Sequence, residues 1–146
     1  FFPVYTPGTF VTSSYFGNLG YGFPTALGAK VAWPDRVVVS ISGDGGFMFN
    51  VQELATAAMH RINVVAIVFN DNAFGNVMRS QIHQFDGRVV GSELENPDFV
   101  KLGQAFGVRS VRVHEPDELT AAITEATAIK APSLIEVPVE MMPDPL

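Results

Sequence analysis

The chain has 146 residues, of which 47% are hydrophobic and 16% are charged, so it is long enough for one domain with a large core and too apolar for disorder. Its net charge of −6 argues against a nucleic-acid partner, and the lack of cysteine excludes disulfides and thiolate metal sites and fits a reducing, cytoplasmic location. No apolar run approaches the ~20 residues that a membrane-crossing helix needs, so no membrane partner is expected.

The first predicted elements follow an irregular amino-terminal segment. Residues 1–23 are rich in glycine, proline and aromatic residues, which is typical of irregular backbone. Pro24 is suited to the first turn of a helix, and Trp33-Pro34-Asp35 would end that helix. The apolar, β-branched run at residues 37–41 then predicts a strand that is buried on both faces.

A second helix, a second strand and a third helix are predicted next. Asn50 is suited to cap the second helix, and Glu53 stands three positions later, as in a capping box. Residues 64–69 are all apolar and predict another fully buried strand. The third helix is expected after Gly75, and residues 85–95 are expected to form a loop.

The last third of the chain continues the alternation of helices and strands. Asn96-Pro97 predicts the start of a helix with asparagine as its cap, and Pro116 predicts the start of the last helix. Residues 110–113 alternate as in a half-exposed strand, and residues 134–137 form the final strand. The predicted fold class is therefore α/β, a three-layer, doubly wound sandwich around a mainly parallel sheet, in a single domain over residues 1–146.

Two polar clusters directly follow the first two predicted strands. Gly43, Asp44, Gly45 and Gly46 come after the first strand, and Asp71 follows Asp44 by 27 positions. Because a strand–helix–strand unit takes about 30 residues, this spacing would bring both carboxylates to one edge of the sheet, where open α/β sheets bind ligands. Each cluster alone is a common turn, and the two together after buried strands are far more specific.

The residue types of these clusters are suited to a divalent cation that holds a phosphorylated ligand. Glycines let backbone N–H groups approach a phosphate, whereas Asp44 repels a phosphate and would act through a bridging cation. Mg²⁺ prefers oxygen ligands, usually one or two carboxylates together with phosphate oxygens and water. Asp71 could share this ion, and Ala73 could lend its carbonyl. Without the ion, repulsion between the two carboxylates should raise one pKa.

Several stretches carry a resemblance to a known family. They are Gly17-Asn18-Leu19-Gly20-Tyr21-Gly22-Phe23-Pro24, Gly43-Asp44-Gly45, Gln52-Glu53-Leu54-Ala55-Thr56, Asn70-Asp71 and Asn96-Pro97-Asp98-Phe99-Val100-Lys101-Leu102. Along nearly its whole length the chain resembles the carboxyl-terminal, diphosphate-binding domain of thiamine-diphosphate-dependent enzymes, in the branch of acetolactate synthase and benzoylformate decarboxylase. The resemblance implies this thiamine-diphosphate-binding fold, thiamine diphosphate and Mg²⁺ as cofactors, and thiazolium ylid chemistry on a small 2-keto acid.

The resemblance also implies roles for individual residues. Asp44, Asp71 and the carbonyl of Ala73 match the metal ligands, and Asp71 stands where the family has its second asparagine. Gly46 belongs to the diphosphate turn, where many relatives have serine. Asn18 matches a segment whose backbone meets the aminopyrimidine ring. The predicted cofactor-binding residues are Asn18, Leu19, Gly43, Asp44, Gly45, Gly46, Asp71, Ala73, Phe74 and Gly75.

No catalytic residue is predicted in this chain, because the family's activating glutamate comes from a separate pyrimidine-binding domain, usually on another subunit. The chain is therefore expected to be a fragment of a larger, homo-oligomeric enzyme and to hold half of a decarboxylase or carboligase active site. Acetolactate synthases carry a tryptophan near the position of Ser80, and its absence here weakens the expectation of acetolactate formation. Two alternatives stay open, which are a catalytically silent cofactor-binding or assembly module and a phosphotransfer domain with Asp44 as the acceptor.

Overall fold

The computed structural model describes residues 3–141, which form one sheet flanked by helices. The strands are Val39–Gly43 (β1), Val65–Asn70 (β2), Arg109–Arg112 (β3) and Ser133–Pro138 (β4). The helices are Gly22–Ala32 (α1), Asp44–Met48 (α2), Glu53–Met59 (α3), Gly75–Gln84 (α4), Phe99–Ala105 (α5) and Pro116–Ala128 (α6).

All four strands run parallel, in the spatial order β1-β2-β4-β3. The central strands β2 and β4 are buried along most of their length, as expected for runs of valine, isoleucine and leucine in a parallel sheet. Gly43 at the end of β1 lies beside Phe69 of β2, so the residues that follow these two strands emerge at the same edge. The predicted parallel α/β sheet is confirmed.

Apolar side chains pack on both faces of the sheet. On one face Phe23, Phe47 and Phe99, from α1, α2 and α5, stack edge to face with ring centroids 5.3 and 6.1 Å apart. On the other face Ala122 and Ala126 of α6 pack against β2 and β4. Small residues at these positions let the helix lie close to the sheet. The two helical layers around one sheet confirm the predicted three-layer sandwich.

The prediction that the first strand is buried on both faces is wrong. β1 lies at the edge of the sheet and has β2 as its only neighbouring strand within residues 3–141. Ser40 faces the core, whereas Val39 and Ile41 on the opposite face are 39% and 58% exposed. Val37, just before the strand, is exposed as well. An apolar face of this kind is typical of a surface that contacts another domain or chain.

The predicted caps at Asn50 and Asn96 are also wrong. α3 begins at Glu53 without a side-chain cap, and the Asn50 amide instead donates to the carbonyl of Gly20 at 2.7 Å. α5 is capped by Asp98, whose carboxylate accepts a backbone N–H at 3.1 Å. In both cases a contact with a distant segment, rather than the nearest helix, determines where the asparagine side chain points.

The other predicted elements lie where expected. α1 contains Pro24 and ends before Trp33, α4 begins at Gly75 and is followed by a loop at 85–95, and α6 begins at Pro116. Within residues 3–141, no helix has both the length and the apolar character that a membrane span requires.

Candidate metal and cofactor site

The two predicted acidic residues meet at the carboxyl edge of β1 and β2. Asp44 is the first residue of α2, and Asp71 directly follows the end of β2. The Asp44 side chain is only 1% exposed, so its carboxylate lies inside the protein rather than on a solvent-facing turn. The structure therefore brings together the two carboxylates that the sequence spacing predicted.

The proximity of Asp44 is visible in the electrostatics of Asp71. Partial burial raises the pKa of Asp71, and the neighbouring Asp44 raises it further through charge repulsion and a shared hydrogen bond. The backbone N–H of Ala73 lowers this pKa in opposition, because it donates to Asp71 Oδ1 at 3.2 Å. Two carboxylates held this close repel each other unless a proton or a cation lies between them, which is the arrangement expected of a cation site.

The turn after β2 is shaped to present a backbone carbonyl. Asn72 adopts a left-handed conformation with φ of 55°. The turn is tied to the following loop by the N–H of Phe74, which donates to Ser92 O at 2.8 Å, and by the N–H of Leu94, which donates to Asn72 O at 2.8 Å. Within residues 3–141, the Ala73 carbonyl accepts no backbone or side-chain hydrogen bond, so it can serve as a metal ligand.

The glycines of the two turns fall into two kinds. A Cβ atom at Gly45 would lie 2.5 Å from the Phe74 ring, and one at Gly75 would lie 2.8 Å from Asp71 Oδ2, so both positions need glycine for close packing. At Gly43 a Cβ atom would meet nothing within 4 Å, and at Gly46 its nearest neighbour would be a side-chain carbon 3.7 Å away. At Gly43 and Gly46 there is therefore space into which a phosphate group could approach the backbone.

The predicted aminopyrimidine segment, which contains Asn18 and Leu19, lies against α2. The Leu19 side chain is the neighbour that approaches Gly46, and the Asn50 amide holds the carbonyl of Gly20. Asn18 is exposed, and its carbonyl accepts the N–H of Tyr21 at 3.3 Å. The ten predicted residues thus occupy three neighbouring segments around the ends of β1 and β2.

Asn96 is the residue of this site that the sequence reasoning missed, since it was assigned as a helix cap. Its Nδ2 donates to Asp44 Oδ2 at 2.5 Å, to Asn70 Oδ1 at 3.0 Å and to Asn72 Oδ1 at 3.3 Å. A signal was present, because Asp98 stands two positions later and is an equally good cap. With Asp98 available as the cap, Asn96 was free for another role.

A buried carboxylate behind the site was missed as well. Glu136 on β4 is 2% exposed, accepts a hydrogen bond from Asn70 Nδ2 at 2.9 Å and pairs with Arg112 Nε at 2.8 Å. The sequence signal was a single charged residue inside an otherwise apolar strand, between Ile135 and Val137. Such a residue is seldom buried without a specific partner.

The donor set as a whole fits Mg²⁺ bound together with a phosphorylated ligand. Asp44 and Asp71 supply two carboxylates, and Ala73 supplies a carbonyl, all of them oxygen ligands. Among residues 3–141, no group of three or more His, Cys, Asp or Glu side chains is arranged to hold a metal by itself. A protein site with only two carboxylates leaves positions for phosphate oxygens and water, as Mg²⁺ usually retains.

Comparisons with known proteins agree with this geometry. Residues 1–137 match the family model of the thiamine pyrophosphate enzyme, C-terminal TPP binding domain. A probable acetolactate synthase large subunit from Methanocaldococcus jannaschii is 41% identical over 147 residues, covering 98% of this chain and 25% of that protein. A probable acetolactate synthase large subunit from Methanococcus aeolicus is 38% identical over 141 residues, covering 96% and 24%.

Solved structures give the same result. A thiamine diphosphate-dependent 4-hydroxybenzoylformate decarboxylase from Rhodococcus jostii RHA1 aligns with a TM-score of 0.81 at 36% identity, covering 86% of this chain and 24% of that one. Benzoylformate decarboxylase from Polynucleobacter necessarius aligns with a TM-score of 0.80 at 32% identity, covering 90% and 25%. The chain spans about a quarter of the length of these relatives. It belongs to the family of carboxyl-terminal, thiamine diphosphate-binding domains of multidomain enzymes, in the branch of acetolactate synthases and benzoylformate decarboxylases.

Proposed function

We propose that this chain provides the diphosphate side of a Mg²⁺-dependent thiamine diphosphate site in a 2-keto acid decarboxylase or carboligase. The observation that carries the proposal is the pairing of Asp44 with Asp71 beside the carbonyl of Ala73, which accepts no hydrogen bond from any residue between 3 and 141. The buried, amide-bound state of Asp44 also argues against the alternative in which Asp44 accepts a phosphoryl group, because an acceptor must be reached by the phosphate.

In this proposal Asp44, Asp71 and the Ala73 carbonyl hold the ion, and the ion holds the diphosphate. Thiamine diphosphate, when bound, supplies the carbanion stabilisation that decarboxylation of a 2-keto acid needs. Two ionised carboxylates would cancel the formal charge of Mg²⁺. The attraction for the diphosphate then depends more on the backbone N–H groups of the glycine turn, which a phosphate could approach at Gly43 and Gly46.

The remainder of the active site would come from other domains. The relatives are multidomain enzymes, and we propose that a pyrimidine-binding domain, usually on another subunit of a homo-oligomer, contributes the activating glutamate. Tyr5, Tyr15 and Phe16 are 90%, 92% and 83% exposed, and the exposed face of β1 adds further apolar surface, which supports docking against another domain. Residues 1–146 would act as one domain, of which residues 3–141 are described.

The test is calorimetric titration of the intact protein with thiamine diphosphate, with and without Mg²⁺. We expect binding that EDTA abolishes. We expect Asp44→Ala to weaken it by at least about 100-fold, because a metal ligand is lost and even groups that only orient such ligands change affinity by about 10- to 100-fold. Asp35→Ala, which removes an exposed carboxylate between α1 and the start of β1, at the end of the strand opposite Asp44, is the matched control and should bind as the unmodified protein does. Metal-independent binding, or near-normal binding by Asp44→Ala, would refute the proposal.

A further inference from the structure

Glu136 is a carboxylate inside the sheet, and the burial of this charged side chain requires an explanation. It lies on β4 between Val68 of β2 and Arg112 of β3 and is only 2% exposed. A buried carboxylate is unfavourable unless its oxygens are paired and hydrogen-bonded. Both oxygens are used, because Oε2 accepts from Arg112 Nε at 2.8 Å and Oε1 accepts from Asn70 Nδ2 at 2.9 Å.

The bond to Oε1 fixes the orientation of the Asn70 amide. An ionised carboxylate only accepts hydrogen bonds, so Asn70 must turn its Nδ2 inward and its Oδ1 outward. The outward Oδ1 accepts the backbone N–H of Asn72 at 3.3 Å and the Nδ2 of Asn96 at 3.0 Å. The reverse orientation of the Asn70 amide would break both of these bonds.

These two bonds lead to both proposed metal-binding carboxylates. The bond to Asn72 stabilises the left-handed turn that carries Asp71 and the Ala73 carbonyl. The bond to Asn96 holds the amide that donates to Asp44 Oδ2 at 2.5 Å. Glu136 is thereby connected through the Asn70 amide to the turn that carries Asp71 and Ala73, and through Asn70 and then Asn96 to Asp44.

We infer that Glu136 is a positioning residue of the metal site, which acts through Asn70 to set the geometry of Asp44, Asp71 and the Ala73 carbonyl. This inference rests on the proposed function. Groups behind a metal site that orient its ligands typically change metal affinity by 10- to 100-fold when they are mutated. Arg112 balances the charge of Glu136 through Oε2 alone. The other oxygen, Oε1, accepts the bond from Asn70, and this bond leads to the metal site.

The experiment measures Mg²⁺ affinity and thermal unfolding of the intact protein, in the presence of thiamine diphosphate. We expect Glu136→Gln and Asn70→Ala each to raise the Mg²⁺ dissociation constant about 10- to 100-fold. The double variant should be no weaker than the weaker single variant, because both changes remove the same connection. Asn70→Ala leaves the pair of Glu136 with Arg112 in place and keeps the test valid if Glu136→Gln does not fold.

Asp98→Ala is the matched control for stability. It removes the cap of α5 and the second partner of Arg112, at 3.2 Å, without touching Asn70. It should lower the unfolding temperature and leave the Mg²⁺ dissociation constant unchanged. If Glu136→Gln or Asn70→Ala lowers the unfolding temperature but binds Mg²⁺ normally, the positioning role is refuted and the proposed function stands. If the unmodified protein shows no Mg²⁺-dependent cofactor binding, the proposed function and this inference both fail.

Discussion

Two adjacent glycines of α2 predict opposite effects of the same substitution. A Cβ atom at Gly45 would lie 2.5 Å from the ring of Phe74 and 3.1 Å from Leu94, whereas one at Gly46 would have its nearest neighbour, on Leu19, at 3.7 Å. Since contacts of 3.4 Å or more are ordinary, the Phe74 ring would have to move by about 0.9 Å, the difference between 3.4 and 2.5 Å, to accommodate alanine at position 45. No movement is needed at position 46.

The expected free energies follow from this difference. Gly45→Ala should lower the free energy of unfolding by about 1–3 kcal/mol through overpacking, less up to ~1 kcal/mol that alanine gains over glycine in a helix. Gly46→Ala should add only the gain from the higher helix propensity of alanine, so the free energy of unfolding should stay unchanged or rise by up to ~1 kcal/mol. Because Phe74 belongs to the turn that carries Ala73, Gly45→Ala should also weaken Mg²⁺-dependent cofactor binding, and Gly46→Ala should not do so through packing.

Denaturant unfolding of the intact protein measures both free energies, and calorimetry measures cofactor binding. A Phe74→Ala background provides the internal check, because Gly45→Ala should cost much less once the ring is removed, as expected for two side chains in direct contact. Equal effects of alanine at the two glycines, or an unchanged cost in the Phe74→Ala background, would show that the ring does not pack on Gly45 in solution.

Three further predictions concern the charges and the backbone of the site. The folded protein raises the pKa of Asp71 above its ordinary value of 3.8, so the folded state binds this proton more tightly than the unfolded chain does. The free energy of unfolding should therefore fall as pH rises through the window that begins near 3.8. Asp71→Asn should flatten that part of the pH profile of thermal unfolding in metal-free protein, and an unchanged slope would contradict the shift. Asn96→Asp would place a third carboxylate beside Asp44 and Asp71, so it should lower the unfolding temperature of the metal-free protein. It should also enlarge the increase in unfolding temperature that Mg²⁺ produces, which thermal scans with and without MgCl₂ would detect. Gly8 and Gly20 have similar φ values of 77° and 81°, but of these two only Gly20 would place an added Cβ atom within 4 Å of a neighbour. Gly20→Ala should therefore lower the free energy of unfolding by at least about 1 kcal/mol more than Gly8→Ala does, as measured by denaturant unfolding. Equal losses would contradict the packing at Gly20.

The features that the sequence predicted well are those determined by local pattern and chain spacing. Two apolar runs and the 27-residue interval between Asp44 and Asp71 were sufficient to place both carboxylates at one sheet edge, because parallel neighbouring strands end on the same side of the sheet. Pro116 marked the start of α6 for an equally local reason, since its fixed backbone suits the first turn of a helix.

The burial of β1 was not predictable in the same way, because it depends on which helices or domains pack against each face of the strand. Residues 37–41 are nearly as apolar as residues 64–69, but the sheet order places one run at the edge and the other in the centre. Apolar composition is required of any surface that will be covered, and it does not specify whether the same domain or another one covers it. The exposed Val39 and Ile41 are therefore consistent with the same composition that suggested a fully buried strand.

The network around the metal site was missed for a related reason, since its bonds join residues far apart in the sequence. Asn96 lies 52 positions from Asp44, and Asn70 lies 66 positions from Glu136. An asparagine before a proline is locally a good cap, and only the distant Asp44 makes the other role more favourable. For Glu136 the clue was chemical rather than positional, because a carboxylate inside a central strand must have partners at hand. Charged residues that interrupt buried strands near a predicted site are therefore the positions where sequence reasoning should look for the groups that orient its ligands.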